Sequence, residues 1–269
     1  MQADVLIAVG SNLGSAAENL DRAVEHLEQL PGLEITAVSS WHITQPIGGP
    51  AGQPTFANGA LRAQTTLSPH ELLRQLQHVE QQLHRERKEF WGPRTLDLDL
   101  LLYGDQALDD PLLVLPHPRM AVRPFVLHPA AEIASDMLHP PSGRTIGALA
   151  SHLAASPKLL AILGGLPSFR SQLAEEIARV SGARLTRQPD ATSSEAQWEA
   201  VTCDWLPAAT GPALSRDLPR SLLLVASESS DQPIDVWRRA RLLPPMIVAR
   251  SLDLALLVRE GVAMIDCMR

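Results

Sequence analysis

The order of apolar patterns along the first hundred residues constrains the fold more than any other feature of this sequence. Apolar residues alternate or run together where strands are predicted, and they recur at three- and four-residue spacing where helices are predicted. The predicted elements are strands over residues 5–9, 33–41, 56–65 and 96–103 and helices over residues 17–30 and 69–83. This strand-helix-strand-strand-helix-strand order is typical of an α+β ferredoxin-like sandwich.

Length and residue usage indicate two domains. The chain has 269 residues, of which 45% are hydrophobic and 20% charged, as in ordinary globular proteins. All nine histidines precede residue 153, whereas Cys203 and Cys267 both lie in the last third of the chain. We therefore expect a first domain over residues 1–156 and a second, smaller α/β domain over residues 157–269.

Charge and composition exclude several classes of protein. A net charge of −7 and an aromatic content of 4% argue against a nucleic-acid-binding protein. Two cysteines are too few for a disulfide framework or a zinc cluster. No apolar run reaches the roughly 18 residues that a membrane span needs, and the first residues lack the pattern of a secretory signal. We therefore expect a cytoplasmic protein with no membrane partner.

Two carboxylates in the fourth predicted strand are the clearest candidates for chemistry. Asp97 and Asp99 are two residues apart, so a strand points both to one face, where they can jointly bind a hard cation such as Mg²⁺. Such a pair can also decorate a solvated strand face. Because the strand is otherwise rich in leucine and Arg94 lies three residues before Asp97, a site for metal and phosphate is the favoured interpretation.

Basic residues cluster just before this strand. Arg85, Arg87, Lys88 and Arg94 lie in an otherwise acidic part of the chain, and the planar fork of arginine matches phosphate oxygens. For Arg87 and Lys88 the alternative is an exposed helix end, where cations complement the helix dipole. The cluster favours a site that neutralises the charge of a polyphosphate.

A second basic group follows in a loop stiffened by prolines. His117 and Arg119 lie between Pro116 and Met120, and Arg123 follows shortly after. Regular protein surfaces use lysine and glutamate more often than this combination. The stiffness of the loop indicates that it positions these side chains.

Seven segments of the first half form an ordered set of motifs. They are residues 10–14 (GSNLG), 56–58 (FAN), 85–88 (RERK), 91–99 (WGPRTLDLD), 116–120 (PHPRM), 123–127 (RPFVL) and 132–134 (EIA). Taken in this order, these motifs are similar to those of the 6-hydroxymethyl-7,8-dihydropterin pyrophosphokinases, a family of folate-pathway enzymes. The resemblance covers residues 1 to about 155, and so many motifs in one order are specific to the family.

The resemblance implies the ferredoxin-like fold and a Mg²⁺-dependent diphosphokinase. Members of the family transfer pyrophosphate from ATP to the hydroxymethyl oxygen of the pterin and release AMP. The expected partners are therefore small molecules, with ATP as co-substrate, the pterin as acceptor and two Mg²⁺ ions as cofactors. Neither nucleic acid nor membrane is expected.

The resemblance also implies roles for individual residues. Asp97 and Asp99 are expected to bind the two Mg²⁺ ions, and Arg85 and Arg94 to clamp the transferring group and the leaving AMP, so these four are the expected catalytic residues. ATP contacts are implied for seven polar side chains: Gln77, Glu80, Arg85, Lys88, Arg94, His117 and Arg123. Pterin contacts are implied for Thr44, Phe56, Asn58, Asp97 and Phe125. The sequence departs from many relatives at Phe56, where they carry tyrosine.

The second half begins like a phosphate-binding loop. A strand over residues 158–163, a Gly-rich turn over 164–168 and a helix over 169–180 follow one another. In the register of a P-loop, however, Phe169 replaces the second glycine and Arg170 replaces the lysine. This half weakly resembles a degenerate P-loop nucleoside kinase. It is interpreted as a structural or homodimerising accessory domain, as an active second kinase, or as an unrelated α/β domain.

Two classes of function follow for the whole chain. The leading hypothesis is the diphosphokinase, because the aspartate pair and the arginines of the motifs are intact. The alternatives are a non-catalytic sensor of pterin or nucleotide, and a bifunctional protein with a second, nucleoside-kinase-like activity.

Overall fold

The computed structural model describes residues 2–50, 52–83, 92–186, 200–202, 219–225, 245–249 and 252–269. The chain divides into two compact units. The first draws on residues 1–120, 125–140 and 144–147, and the second on residues 121–124, 141–143 and 148–269. The boundary expected after Ser156 lies inside the second unit, and it stays a prediction.

An antiparallel sheet forms the framework of the first unit. Its strands are β1 (Ala3–Ser11), β2 (Leu33–Val38), β3 (His42–Thr44), β4 (Phe56–Thr65) and β5 (Asp97–Tyr103). The order across the sheet is β2-β4-β1-β5, and β3 pairs with the beginning of β4, in line with β2. The prediction of an α+β sheet fold for this part of the chain is confirmed.

The strand predicted over residues 33–41 is wrong at its end, because β2 stops three residues earlier and β3 follows as a separate strand. Between them, the N–H of Ser39 donates to the carbonyl of Ala60 at 3.0 Å, and the hydroxyl of Ser39 accepts the N–H of Ala60 at 2.8 Å. Trp41 packs over Gly59, where an added Cβ would lie 2.3 Å from its ring. From Val38 to His42 the chain advances one residue more than β4 does between their partners Leu61 and Asn58, and this extra residue interrupts the regular pairing.

Helices α1 (Ala16–Glu28) and α2 (Pro69–Gln82) pack on one face of this sheet. The beginning of α2 is a capping box, in which the hydroxyl of Ser68 accepts the N–H of Glu71 and the carboxylate of Glu71 accepts the N–H of Ser68. Pro69 occupies the first helical turn, where no intrahelical donor is needed. The helix predicted from residue 69 is therefore confirmed.

The two faces of the sheet have different coverings. On β1, Val5, Ile7 and Val9 belong to the core beneath α1 and α2. Because successive side chains of a strand alternate, Ala8 and Gly10 face the other side. The helices therefore leave that side to other parts of the first unit.

The segment at the end of α3 (Pro124–Ala134) reaches this second face. Arg62, the register partner of Leu6, donates to the carboxylate of Asp136 at 2.9 Å and to the carbonyl of Ile133 at 3.4 Å. The guanidinium also contacts Asp4, and these hydrogen bonds raise the pKa of Arg62. Polar side chains lie on the part of this face around Gly10.

Two short hairpins complete the first unit. β6 (Leu108–Asp109) pairs with β7 (Val114–Leu115), and β8 (Leu138–His139) pairs with β9 (Arg144–Thr145). His139 is buried, and its loss of solvation, together with the charge of Arg144, lowers the pKa of the imidazole to about 4. His139 is therefore neutral at neutral pH.

Five parallel strands form the described sheet of the second unit. They are β10 (Leu159–Gly164), β11 (Arg184–Leu185), β12 (Ala200–Thr202), β13 (Ser221–Val225) and β14 (Met246–Ala249). Their order is β11-β12-β10-β13-β14. Helix α4 (Ile146–Ala155) precedes the sheet, and α5 (Pro167–Ser181) and α6 (Leu254–Asp266) pack on one face of it. In the described ranges, no helix combines the length and apolar character that crossing a membrane requires.

Candidate active site

Three residues from three adjacent strands lie side by side at one end of the first sheet. Gly10 on β1 is the register partner of Asn58 on β4 and of Asp97 on β5. Paired residues of antiparallel strands point to the same face, so two polar side chains flank a position that has none. A Cβ at Gly10 would lie 3.0 Å from Oδ1 of Asn58 and 4.0 Å from the Cβ of Asp97. Asn58, Gly10 and Asp97 therefore form a narrow strip of the sheet surface with no side chain at its centre, and this strip is called the floor of the site.

Asp97 and Asp99 project from β5 on the face of this floor, as their spacing predicts. Both are half-buried, whereas Leu98 between them is buried against the core. Nη1 of Arg94 lies 2.5 Å from Oδ2 of Asp97, and Nε2 of His117 lies 3.9 Å from Oδ2 of Asp99. The structure thus brings together four of the residues expected from the sequence.

The edge of β5 that faces away from β1 is held by two groups from outside the sheet. Oε1 of Glu80 on α2 accepts the N–H of Leu98 at 2.7 Å, and the N–H of His117 donates to the carbonyl of Leu101 at 2.9 Å. Glu80 is 4% exposed, so its carboxylate supports the strand from within the protein. Gln77 lies exposed on the same helix. The ATP contacts expected for Glu80 and Gln77 stay predictions.

Asn12 is a site residue to which the sequence analysis gave no role. Its Oδ1 accepts the N–H of Arg94 at 2.8 Å, and its N–H donates to the carbonyl of Arg94 at 3.1 Å. Its Nδ2 donates to the carbonyl of Pro54 at 3.3 Å, which ties a second loop to the same point. The sequence signal for it is an asparagine in a Gly-rich strand end, because asparagine often bonds nearby backbone.

Thr44 and Asn58 are in direct contact on the neighbouring strands. Nδ2 of Asn58 donates to Oγ1 of Thr44 at 2.7 Å, and Thr44 is the register partner of Phe56. With Nδ2 directed to Thr44, Oδ1 of Asn58 is directed toward Gly10. Three of the five residues expected to bind the pterin therefore lie together, and a fourth, Asp97, lies across Gly10 from them.

The other residues expected in the site lie at the beginning of α3 or outside the described residues. Phe125 is half-buried in the first turn of α3, and Arg123 is half-buried just before that helix. Arg85 and Lys88 lie outside the described residues. Their expected roles stay predictions, and Arg94 is the described member of the expected arginine clamp.

The aspartate pair fits Mg²⁺ in its residue types. Within the described ranges, no group of three or more His, Cys, Asp or Glu side chains could hold a metal ion. Mg²⁺ is usually held by one or two carboxylates together with water and substrate phosphates. Asp97 and Asp99 supply that number of carboxylates, so the donor set fits Mg²⁺ that arrives with a polyphosphate.

Part of the chain is similar to known proteins of one family. A family model described as 7,8-dihydro-6-hydroxymethylpterin-pyrophosphokinase matches residues 6–135. A 2-amino-4-hydroxy-6-hydroxymethyldihydropteridine pyrophosphokinase of Synechocystis is 46% identical over 141 residues, which are 52% of this chain and 71% of that protein. The protein of the same name from Pseudomonas aeruginosa is 46% identical over 153 residues, which are 57% of this chain and 91% of that one.

A similar chain among solved structures is an HPPK-DHPS protein in complex with substrates. It aligns with a TM-score of 0.45 and 11% sequence identity, over 65% of this chain and 56% of that chain. The present chain thus spans little more than half of that protein. Because it is 46% identical to a relative of which it covers 91%, the chain belongs to the 7,8-dihydro-6-hydroxymethylpterin-pyrophosphokinase family.

Proposed function

We propose that this protein transfers a pyrophosphoryl group from ATP to the hydroxymethyl oxygen of 6-hydroxymethyl-7,8-dihydropterin, with release of AMP, in folate biosynthesis. The observation that carries the proposal is the row formed by Asn58, Gly10 and Asp97, with Asp99 beside it, in a chain of this family. This row combines groups that can bind the edge of a heterocycle with a carboxylate pair suited to a divalent cation.

The pterin is proposed to lie on the floor at Gly10. A flat polar heterocycle is held best by hydrogen bonds along its edge and by aromatic contact with its faces. Oδ1 of Asn58 is directed toward the floor and can accept from ring N–H groups. Phe56 and Phe125 are the aromatic side chains proposed to contact the ring, and Thr44 fixes the amide of Asn58.

The triphosphate is proposed to lie beside the aspartates. Asp97 and Asp99 are proposed to hold two Mg²⁺ ions, which would neutralise phosphate charge and polarise the acceptor hydroxyl. Arg85 and Arg94 are proposed to contact the transferring group. The other proposed ATP contacts come from the remaining polar residues of the family motifs: Gln77, Glu80, Lys88, His117 and Arg123.

The proposed reaction is a displacement at the β-phosphorus of ATP. The hydroxymethyl oxygen forms a bond to the β-phosphorus. At the same time, the bond between the β-phosphorus and the oxygen that bridges to the α-phosphate breaks. AMP leaves with that oxygen, and the hydroxyl proton is released. Phosphoryl chemistry of this kind needs positioning and charge neutralisation more than a strong nucleophile. Arg94, already beside Asp97, is suited to stabilise the charge that develops.

The test is product identification with the full chain. We expect ³¹P NMR of a mixture with Mg·ATP and the hydroxymethyl-dihydropterin to give AMP and the pterin diphosphate in equal amounts. Each product should be absent when the pterin is omitted. Formation of ADP would contradict the proposal, and tight binding of both substrates without turnover would favour the non-catalytic sensor.

For residues 157–269 we propose an accessory domain with a P-loop-kinase-like fold that has lost its loop chemistry, with a structural or dimerising role. The support comes from the turn between β10 and α5. Gly164 has a φ of +75°, and a Cβ there would lie 2.2 Å from the carbonyl oxygen of Val225. Nη1 of Arg170 donates to the carbonyls of Gly164 and Gly165 at 3.0 Å each. A guanidinium thus binds the turn that a P-loop would use for phosphate.

The number of ATP sites distinguishes this proposal from an active second kinase. Equilibrium dialysis of the full chain with a non-hydrolysable ATP analogue and Mg²⁺ should give one bound analogue per chain. The same number is expected after Arg170→Ala. A second bound analogue, or ADP formed from ATP and a nucleoside, would overturn the accessory assignment.

A further inference from the structure

The short strand β3 carries Thr44 into the candidate site, yet it has little support from the sheet. It pairs with β4 through three residues, His42, Ile43 and Thr44. Ile43 is 68% exposed, so its burial contributes little to the stability of β3. Contacts from outside the sheet must therefore help to fix the position of β3.

A carboxylate on α3 supplies such contacts. Glu132 accepts the backbone N–H of Ser40 at 2.9 Å and the hydroxyl of Ser40 at 2.8 Å. Its Oε1 lies 2.5 Å from Nε2 of His42. Partial desolvation acts to raise the pKa of Glu132, but the hydrogen bonds from Ser40 and His42 outweigh it and hold the pKa below its usual value.

This network is stronger than an isolated surface ion pair. The side chains of His42 and Glu132 are 32% and 37% exposed, and an ion pair at such exposure contributes little by itself. Here the same carboxylate also accepts a backbone N–H and a hydroxyl, and hydrogen bonds to an ionised acceptor are the stronger kind. The three contacts restrain both the entry to β3 and its first residue.

The other side of the same segment is also held. Trp41, between Ser40 and His42, packs over Gly59, and its Nε1 donates to Oδ1 of Asp21 on α1 at 2.9 Å. The chain entering β3 is thus fixed by α1 through Trp41 and by α3 through its neighbours. Removal of one support should leave the fold intact while it loosens β3.

Strand β3, which these contacts restrain, lies against the amide of Asn58, the group proposed to bind the pterin. His42 is the register partner of Asn58, and Thr44, two residues on, accepts from Nδ2 of Asn58 at 2.7 Å. A small shift of β3 therefore changes where Oδ1 of Asn58 points.

We propose that Glu132 is a positioning residue for the pterin substrate, because it fixes β3 and thereby the pair Thr44 and Asn58. The proposal rests on the proposed function of this site. It concerns affinity for the pterin and leaves the phosphate side of the site, on β5, unaffected.

The test compares Glu132→Ala and Glu132→Gln with Asp136→Ala. Asp136 is a matched control because it is also a carboxylate near the end of α3, and it pairs with Arg62 away from β3. Binding of the pterin is measured by calorimetry on the full chain, in the presence of Mg²⁺ and a non-hydrolysable ATP analogue. We expect Glu132→Ala to weaken pterin binding about tenfold, which is the effect of losing one well-placed hydrogen bond between Asn58 and the pterin ring.

Affinity for the ATP analogue should stay within about twofold in all three variants. Glu132→Gln keeps an oxygen for the N–H of Ser40 and should restore most of the pterin affinity, while Asp136→Ala should bind both ligands like the unchanged chain. Equal weakening of pterin and ATP analogue, or unchanged pterin binding in Glu132→Ala, would overturn the proposal.

A second arm covers the case in which Glu132→Ala fails to fold. Ser40→Ala and His42→Ala each remove one hydrogen bond to the Glu132 carboxylate, and we expect each to weaken pterin binding while affinity for the ATP analogue stays within about twofold. Unchanged pterin binding in both variants would overturn the proposal. These experiments measure binding without turnover. If the unsubstituted protein binds the pterin but forms no AMP, the proposed reaction is refuted, whereas the positioning role of Glu132 is not.

Discussion

Oε1 of Glu80 accepts the backbone N–H of Leu98 at 2.7 Å, so a buried carboxylate on α2 holds the strand that carries both aspartates of the candidate site. Leu98 lies between Asp97 and Asp99 on β5, the last strand in the order of the described sheet. An unpaired N–H at this edge would leave the spacing of the two carboxylates less well defined. The contact therefore links the packing of a helix to the geometry of the proposed metal site.

Glu80→Ala should lower both stability and turnover. Loss of the acceptor leaves a buried N–H unsatisfied, which costs about 1 to 3 kcal/mol in the free energy of unfolding. Urea denaturation measures the first effect and the initial rate of AMP release the second. Glu80→Gln keeps an acceptor oxygen and should recover most of the stability. Gln77→Ala, exposed on the same helix, is the control and should be as stable as the unchanged chain.

Arg94→Ala should reduce kcat by about a hundredfold or more, because a charge that acts on the developing phosphate is lost. Its effect on KM for ATP should be much smaller, since the contact is proposed to matter most in the transition state. Asn12→Ala leaves the guanidinium in place but removes its backbone anchor, so it should lower kcat less. Steady-state kinetics on both variants give these numbers. If the KM for ATP rises by a larger factor than kcat falls in Arg94→Ala, the proposed role of Arg94 in the transition state is contradicted.

Gly10→Ala should weaken pterin binding with little effect on ATP. The added Cβ would lie 3.0 Å from Oδ1 of Asn58, so it would narrow the floor and disturb the amide. A tenfold or greater increase in KM for the pterin is expected, and the KM for ATP should stay within about threefold. An unchanged KM for the pterin would place its ring elsewhere.

Stability of the first unit should fall on acidification because of His139. The pKa of this imidazole is about 4 in the folded protein and about 6.5 when it is exposed, so the unfolded chain binds a proton first as the pH falls. The free energy of unfolding should therefore decrease between pH 6.5 and pH 4, by about 3 kcal/mol over the whole window from this residue.

Urea denaturation at pH 7 and pH 5 tests this linkage. His139→Gln should be less dependent on pH than the unchanged chain over that range. His78→Gln, at an exposed position of α2, should keep the full dependence. An equal pH dependence in all three chains would show that His139 is not the titrating group.

Local sequence signals predicted the elements around the site. The serine, proline and glutamate at the beginning of α2 placed the helix, and two-residue spacing placed Asp97 and Asp99 on one face of β5. These features depend on residues within a few positions of each other, so the sequence contains them directly.

The supports of the site could not be predicted in the same way. Asn12 meets Arg94 across 82 residues, and Glu132 meets Ser40 across 92. The packing of Trp41 over Gly59 is equally non-local. Spacing and propensity carry no information about such pairs, and only the fold brings them together.

The most direct test of the account is the rate of pterin-dependent AMP release by Asp97→Asn in saturating Mg·ATP. This substitution keeps the shape of the side chain and removes its charge. Asp105→Asn, exposed just beyond β5, is the matched control. We predict that Asp97→Asn lowers this rate at least a hundredfold with unchanged thermal unfolding, and that Asp105→Asn keeps full activity. Full activity in Asp97→Asn would contradict the assignment of the aspartate pair.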